Sequence, residues 1–346
     1  MMEANAEQQI AELARRFLPD VEGCLREAIA ESDDLAPMMR YHLGWENLEG
    51  APASGGGKAL RPVLCLAACE MSGGDWRDAL PAAAGLELVH NFSLVHDDIQ
   101  DGDETRRGTP TLWRVHGVPA ALTAGNAMRV VADRTADGLS ARGTAPEVAR
   151  GTIAELTRRY LEMIEGQYLD LSFEAAEHVS VSDYLDMIGR KTGALIESAM
   201  HMGALVATGD PATARGFGEC GMRLGLAFQV RDDYLGVWGD PAFTGKAVGA
   251  DIRRKKKSLP AVYLFDSVPD DERSWLEETY RAEEIEGERL DGVMAMLERL
   301  GGGPYVQRIA EEQAQLAVVA VDALDIAEES KQLLGAVAEF FATRDR

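Results

Sequence analysis

Basic residues are scarce in this chain: 35 Lys and Arg stand against 58 Asp and Glu, a formal net charge of −23. Such a shortage of cations argues against a nucleic-acid binder, which needs a basic face, and against docking on an anionic membrane. Long apolar runs are missing too. No stretch approaches the roughly 18 consecutive apolar residues of a membrane span. The first ten residues lack the basic-then-apolar order of a secretory signal, so a cytoplasmic protein is expected. Cysteine is sparse, with four residues. Cys65 and Cys69 stand four apart, but no second Cys or His pair accompanies them to complete a zinc site. They are read, with Cys24 and Cys220, as small side chains in a reducing compartment. Strand-like alternation is essentially absent, and no repeat of fixed period is visible.

What the chain has instead is helical periodicity. Hydrophobic residues make up 46% of its 346 positions, enough for a sizeable core. Ile10, Leu13, Phe17, Val21, Cys24 and Ala28 mark one face of a first helix, with a kink expected at Pro19. Residues 42–57 read as a loop ending in Gly55-Gly56-Gly57. Helices are predicted over 61–71, 81–101, 119–141, 147–176, 182–208, 213–239, 256–267, 289–299 and 304–342, the last one split. Gly301-Gly302-Gly303 reads as a turn between helices. No composition shift divides the chain, so one all-α domain over residues 1–346 is expected.

The chemistry concentrates at two helix ends. His96-Asp97-Asp98-Ile99-Gln100-Asp101 closes an otherwise apolar helix. Asp97 and Asp101, four apart, share one helix face. Two like charges near a helix C-terminus are unfavourable unless a cation compensates them. A hard divalent ion with oxygen ligands is the natural candidate, and Mg²⁺ suits phosphate substrates. An EF-hand loop fails, because Ile99 and Gly108 stand where acidic ligands are needed. A merely solvated acidic helix end is the bland alternative. A second apolar helix repeats the device: Phe228-Gln229-Val230-Arg231-Asp232-Asp233-Tyr234-Leu235-Gly236. If the two ends face each other, divalent ions would sit between them at the mouth of an apolar pocket. That pattern suits a substrate with a polyanionic head and a hydrocarbon tail.

The few cations fall nearby. Lys58 and Arg61 follow the glycine loop, and Arg106 and Arg107 follow the first acidic motif. Lys191 and Thr192 lie in one predicted helix. Lys246 and the run Arg253 to Lys257 follow the second motif. Arg forks and Lys point charges both suit phosphate oxygens, although ordinary salt bridges would use the same residues. His90 lies two turns before Asp97.

Together these segments resemble the trans-isoprenyl diphosphate synthase (polyprenyl synthetase) family. The resemblance runs from about residue 55 to 262. It rests on Gly56 to Pro62, Leu88-Val89-His90, His96 to Asp101, Arg106-Arg107-Gly108, Gly166 to Asp170, Lys191-Thr192-Gly193, Phe228-Gln229 with Asp232-Asp233, Gly245-Lys246, and Asp251 to Lys256 with Pro260. It implies a helical bundle of the class I isoprenoid synthase type around a central apolar cavity. It also implies about three Mg²⁺ per active site, held by Asp97, Asp101 and Asp232, with Asp98, Asp170 and Asp233 in support. Lys58, Arg61, His90 and Arg107 would hold isopentenyl diphosphate. Arg106, Lys191, Thr192, Gln229, Lys246 and Lys256 would hold an allylic diphosphate. The implied reaction is ionisation of the allylic C–O bond, attack by the isopentenyl double bond, and proton loss, with no side-chain nucleophile. A homodimer is implied as well.

Two positions depart from the family pattern. Gly236 stands where a third Asp is usual, and Lys255 replaces a usual Gly, which leaves the choice among Lys255, Lys256 and Lys257 open. Phe92, with Ser93 beside it, lies five residues before Asp97, roughly 7–8 Å along the helix axis at ~1.5 Å per residue. A ring there reads as the floor of the tail pocket and points to C15–C20 products, geranylgeranyl foremost. A class I terpene cyclase would share the fold but leave Lys58, Arg61, His90 and Arg107 without a task. A non-catalytic partner subunit would have lost more motif residues.

Overall fold

The computed structural model describes residues 2–345 other than 54, 56, 58 and 246. Among the described residues the chain folds into seventeen α-helices. The first half comprises α1 (Met2–Ala30), α2 (Ala36–His42), α3 (Leu60–Met71), α4 (Leu80–Gln100), α5 (Leu112–His116), α6 (Val118–Asp137) and α7 (Pro146–Ala175). Then come α8 (Val181–Ile188), α9 (Ala194–Thr208), α10 (Pro211–Trp238), α11 (Pro241–Thr244), α12 (Ala250–Arg253) and α13 (Leu259–Ser267). The chain ends with α14 (Asp270–Arg281), α15 (Glu288–Arg299), α16 (Gly302–Asp322) and α17 (Glu328–Thr343). Two short strands, β1 (Thr105–Arg106) and β2 (Thr109–Pro110), pair antiparallel.

Local chemistry sets the ends of the helices that matter most. Pro81 opens α4 in its first turn, where a missing N–H costs nothing. Past Asp101, Gly102 at φ +67° ends it. Asp210 caps α10 by accepting from the Ala212 and Thr213 N–H groups, worth about 1 kcal/mol. Ser180 and Asp183 form a reciprocal capping box on α8.

Helix α10 packs on α9, α16 and α17, and α4 packs on α3 and α6. Both are greasy because both are central. Leu86, Leu88 and Val89 of α4 and Leu224, Ala227 and Val230 of α10 are fully buried in the main core, each Leu or Val contributing about 1.5–3 kcal/mol. A smaller core gathers Val237, Ile252, Leu264, Leu276, Val293 and Leu297 under α12 to α15. So α10 runs from one core into the other.

Four sequence expectations need correction. The predicted helix 182–208 is three pieces, because a short π-helical turn, Gly189–Gly193, separates α8 from α9. The predicted helix 256–267 starts only at Leu259, since Lys255 takes φ +53°. Helix α14 was hidden by its charge, as only Leu276 and Thr279 of it are buried. The hairpin at Thr105–Pro110 turns through Arg107 and Gly108, both at positive φ, too briefly to leave an alternating pattern. The expected split of 304–342 falls between α16 and α17. Cys65, Cys69 and Cys220 are buried, and all four cysteines are free thiols.

Candidate active site

The carboxylates at the ends of α4 and α10 share a cation, Lys256, which lies within Coulombic reach of Asp101 of the one and Asp232 of the other. Asp97 is half-buried and Asp101 exposed on α4, while Asp232 on α10 is half-buried. Protein cations connect the two sides. Lys191, in the π-helical turn, forms an ion pair with Asp170 of α7 and lies within Coulombic reach of Asp97 and Asp101. Lys256 reaches Asp101 on one side and Asp233, Asp251, Asp170 and Asp232 on the other. Enclosure works against the Lys256 charge, yet those carboxylates hold its ammonium above the ordinary lysine range.

These cations do not quench the site. Burial pushes the Asp97 carboxyl up to about 7; Lys191 opposes the rise, while Asp101 and Asp170 add to it. Asp101, although solvent reaches it, is raised too, first by the partial desolvation of its carboxyl, which Lys191 opposes. Among the described residues no three His, Cys, Asp or Glu side chains already form a metal cage. Asp97, Asp101, Asp170 and Asp232 nonetheless outnumber the lysines Lys191 and Lys256 that interact with them, and carboxylate oxygens are the donors that fit a hard divalent cation.

The second aspartate of each motif is committed elsewhere. Asp98 is almost fully buried and receives the Arg106 guanidinium, with Nε 2.7 Å and Nη2 2.6 Å from Oδ1. Asp233 is a hub. It accepts from the Tyr184 hydroxyl, from the Leu259 N–H at 3.1 Å and from Gln229 Nε2 at 3.1 Å. Burial lifts Asp233 to about 6 despite Lys256 and these donors. Thr192 Oγ1 donates to Gln229 Oε1 at 2.9 Å, so Thr192, Gln229 and Asp233 form one relay. The π-helical turn can lie this close because α7 offers Gly166 there: a Cβ at that position would stand 2.3 Å from the Lys191 N.

Two cavities meet at this point. The first, about 510 Å³, is lined by polar Asp97, Gln100, Lys191 and Thr192 and by apolar Phe92, Met163, Ile164, Leu171 and Leu195. Ser93 lines it as well. The Phe92 ring packs edge-on against His96, centroids 4.8 Å apart. The second, about 460 Å³, is lined by Arg61, Glu87, His90, Arg107, Phe228 and Arg344, with apolar side chains of α1 such as Ile10 and Leu18. Arg61 and His90 border both cavities. Arg61 Nη1 lies 3.2 Å from His90 Nε2. Enclosure, then Arg61, Arg107 and Arg106, hold the His90 imidazole well below its usual range, so it is neutral.

Of the residues singled out in the sequence, Asp97, Asp101, Asp170, Lys191, Asp232, Asp233 and Lys256 are gathered around the carboxylate space. Thr192 and Gln229 belong to the adjoining relay, and Arg106 reaches the space through Asp98. Arg61, His90 and Arg107 border the second cavity. Lys58 and Lys246 lie outside the described residues. Of the three lysines left open, Lys256 faces the carboxylates, whereas Lys257 donates to the Ala176 carbonyl and Lys255 to those of Ala282 and Glu283.

Sequence reasoning missed four participants. Glu87, 6% exposed, faces Arg61 and Arg107, and a lone Glu between Leu86 and Leu88 was a usable signal. Tyr184 left none. Arg344 pairs with Asp232 and lies 4.1 Å over the Phe228 ring, while Arg231 Nε holds the Arg344 carbonyl at 2.7 Å. Asp251 is the fourth: the motif it opens was recognised in the sequence, but no role was read for it.

An acidic space fit for divalent ions, a basic cavity beside it and an apolar cavity beneath it define a class: an enzyme handling diphosphate heads on hydrocarbon tails. Comparison with known proteins bears on which one. The family Polyprenyl synthetase matches residues 50–297. A geranylgeranyl diphosphate synthase of Mycobacterium tuberculosis (strain ATCC 25618 / H37Rv) is 41% identical over 312 residues, 89% of this chain and 88% of that protein. A (2E,6E)-farnesyl diphosphate synthase of Mycobacterium bovis (strain ATCC BAA-935 / AF2122/97) is 35% identical, covering 96% of this chain and 94% of that one. The structure of a polyprenyl synthetase from Streptomyces coelicolor A3(2) superposes with a TM-score of 0.89 at 36% identity, covering 96% of this chain and 99% of that one. The chain belongs to the polyprenyl synthetase family and is a prenyltransferase.

Proposed function

We propose that this enzyme condenses isopentenyl diphosphate with an allylic diphosphate, releases pyrophosphate, and makes a C15–C20 product, chiefly geranylgeranyl diphosphate. One observation carries the reading: a largely apolar, tail-sized cavity that Asp97 and Lys191 also line shares Arg61 and His90 with a second cavity, which Arg107 lines as well. Asp97, Asp101 and Asp232 would hold about three Mg²⁺, supported by Asp98, Asp170 and Asp233. Bound Mg²⁺ stabilises charge on the departing pyrophosphate.

The protein's own groups do the rest. Lys191, Thr192, Gln229, Lys246 and Lys256 bind the allylic diphosphate, joined by Arg106 with its Nη1, which no bond to Asp98 uses. Lys58, Arg61, His90 and Arg107 anchor the isopentenyl diphosphate, which stays intact and so needs only cations and a neutral donor. The apolar walls exclude water, which would trap the allylic cation formed when the C–O bond breaks. The isopentenyl double bond forms the new C–C bond, and the proton lost from the resulting cation passes to the departing pyrophosphate. Phe92, with Ser93 at its side, stops the growing tail.

The chain is proposed to act as one domain in a cytoplasmic homodimer. Exposed Leu161, Ile164 and Tyr168, a helical stripe on α7, support the dimer, and the free thiols support a reducing compartment. Among the described residues no helix is long and apolar enough to cross a membrane.

The test is product analysis with labelled isopentenyl diphosphate and each allylic primer, alongside pyrophosphate release with and without isopentenyl diphosphate. Release that requires isopentenyl diphosphate, with C20 dominant, is expected. Cyclised hydrocarbons formed without it would sink the reading. The Phe92→Ala variant is expected to shift products beyond C20, and an unchanged distribution would remove Phe92 as the floor.

A further inference from the structure

The run Arg253 to Lys257 carries five cations in succession, and the reaction as read uses one of them, Lys256. The other four are all engaged. Arg253 Nη1 donates to the Val248 carbonyl at 2.8 Å, within its own loop. Arg254 Nη2 reaches Asp103 Oδ1 at 2.5 Å, just past the end of α4. Lys255 Nζ donates to the Ala282 carbonyl and, at 2.9 Å, to that of Glu283. Lys257 Nζ donates to the Ala176 carbonyl.

The two lysine contacts share a chemistry. Ala176 closes α7 and Ala282 closes α14. The last carbonyls of a helix lack partners inside it and lie at the negative end of its dipole, so an ammonium there is held by charge as well as by hydrogen bonds. Lys255 and Lys257 therefore grip the C-termini of two different helices, with Lys256 between them. Packing alone does not fix this segment, because a cavity of about 390 Å³ adjoins Lys255 and Lys257. The backbone turns to send each side chain its own way. Lys255 has φ +53°, which glycine takes freely and other residues rarely. The Lys256 N–H donates to the Asp251 carbonyl at 2.9 Å, closing the turn. The middle ammonium is left among carboxylates, within Coulombic reach of Asp233, Asp251, Asp170 and Asp232.

We propose that Lys255 and Lys257 are positioning residues for Lys256: by gripping the ends of α14 and α7 they fix where its ammonium meets the allylic diphosphate. Neither touches substrate. Lys255 stands where a glycine is usual in the family, so this chain has an anchored turn where a glycine would leave a free one. The inference rests on the reading of Lys256 as a ligand of the allylic diphosphate.

The experiment is initial-rate kinetics on the full-length enzyme, with farnesyl diphosphate and isopentenyl diphosphate varied in turn. Melting curves run in parallel check that each variant is folded. Lys257→Met is expected to raise the KM for farnesyl diphosphate about tenfold, short of the roughly 10²-fold that a 1 Å misplacement can cost. The KM for isopentenyl diphosphate should stay within about twofold, as for a site that shares no partner with the change. Lys257→Arg can still donate to the Ala176 carbonyl and should stay within about threefold of the wild type, since a guanidinium serves a single carbonyl as an ammonium does. Lys255→Gly removes the amine and relieves the backbone, so it keeps the test open should Lys257→Met not fold. It should raise the same KM by about threefold or more, a smaller effect because the anchor at Ala176 remains. In a Lys256→Met background neither change should raise that KM further, because the group they aim is gone.

A wild-type KM for farnesyl diphosphate in both Lys257→Met and Lys255→Gly would overturn the proposal. So would an equal rise for both substrates with a lowered melting temperature, which marks a merely structural role. A further rise on top of Lys256→Met would overturn it too, since the flanking lysines would then bind the diphosphate themselves. Lys256→Met alone separates the two levels. If it raises the KM for farnesyl diphosphate while the flanking variants do not, only the positioning fails. If it changes nothing, the reading of Lys256 falls and takes the positioning with it.

Discussion

On the proposed reading, protons and metal would compete for the carboxyl of Asp97. Without metal its pKa is about 7 in the fold, against an ordinary value of 3.8, and that of Asp233 is about 6. Both folded values are raised, so between roughly pH 4 and 7 the folded state binds more protons than the unfolded chain, and stability falls as pH rises. The metal-free protein is expected to melt at a lower temperature at pH 8 than at pH 5.5, and Mg²⁺ with pyrophosphate should flatten that slope. Magnesium affinity should climb through pH 7. Differential scanning fluorimetry across pH, with and without metal, checks this; a flat metal-free profile would contradict it. Asp97→Ala should reduce turnover by about 10²–10³ or more, the scale for removing one preorganised charge-stabilising group. Retention of the wild-type rate in the isopentenyl incorporation assay would remove Asp97 from the site. Tyr184→Phe tests the other carboxylate. It deprives buried Asp233 of a donor, a loss of about 1–3 kcal/mol, which should be seen as a lower melting temperature with KM values little changed.

Among the elements, the π-helical turn Gly189–Gly193 separates what the sequence shows from what it hides. Lys191 and Thr192 stood out as a Lys-Thr pair among apolar residues, but their placement comes from the extra residue in the turn and from the Gly166 surface opposite. Gly166→Ala should push α7 off that turn. Overpacking of this kind costs about 1–3 kcal/mol. The KM for the allylic substrate should rise more than kcat falls, because Lys191 and Thr192 move together; unchanged kinetics would show that the turn tolerates the displacement. The long helices were legible because their apolar periodicity is strong, and α4 and α10 were found to within about two residues. Helix α14 and the Arg107–Gly108 hairpin were not, one being nearly all charge and the other too short for any period. Contacts distant in sequence were the least legible. The Arg344–Asp232 pair joins residues 112 apart, and nothing local to either end announces it.

At the scale of the whole molecule, the C-terminus is part of the site. Arg231 donates to the carbonyls of both Thr343 and Arg344, and Arg344 in turn covers Asp232. Deleting residues 343–346 strips two acceptors from a buried guanidinium and a cation from Asp232, the carboxylate proposed to hold metal. The truncated protein is expected to lose several degrees of melting temperature without metal, at about 2–4 °C per kcal/mol for a chain of 150–250 residues and less for a longer one. It should bind Mg²⁺ in the presence of pyrophosphate at least as tightly, since Arg344 no longer competes. Weaker magnesium binding in the truncated form would show that the tail helps to build the metal site.

Along α10 the buried residues pass from the main apolar cluster at Val230 to the smaller one at Val237, with Tyr234 and Trp238 still packed against the main cluster, so Asp232 and Asp233 sit on the seam between two adjoining apolar bodies. Asp251 rides with the smaller body beside Ile252, Lys256 lies on the link between Ile252 and Leu259 of the larger body, and Asp97 and Lys191 ride with the larger. A slight hinge at that seam would spread or close the whole ring of charges while leaving each body intact, so loosening of α12 to α15 should be felt at the diphosphate long before the main bundle yields.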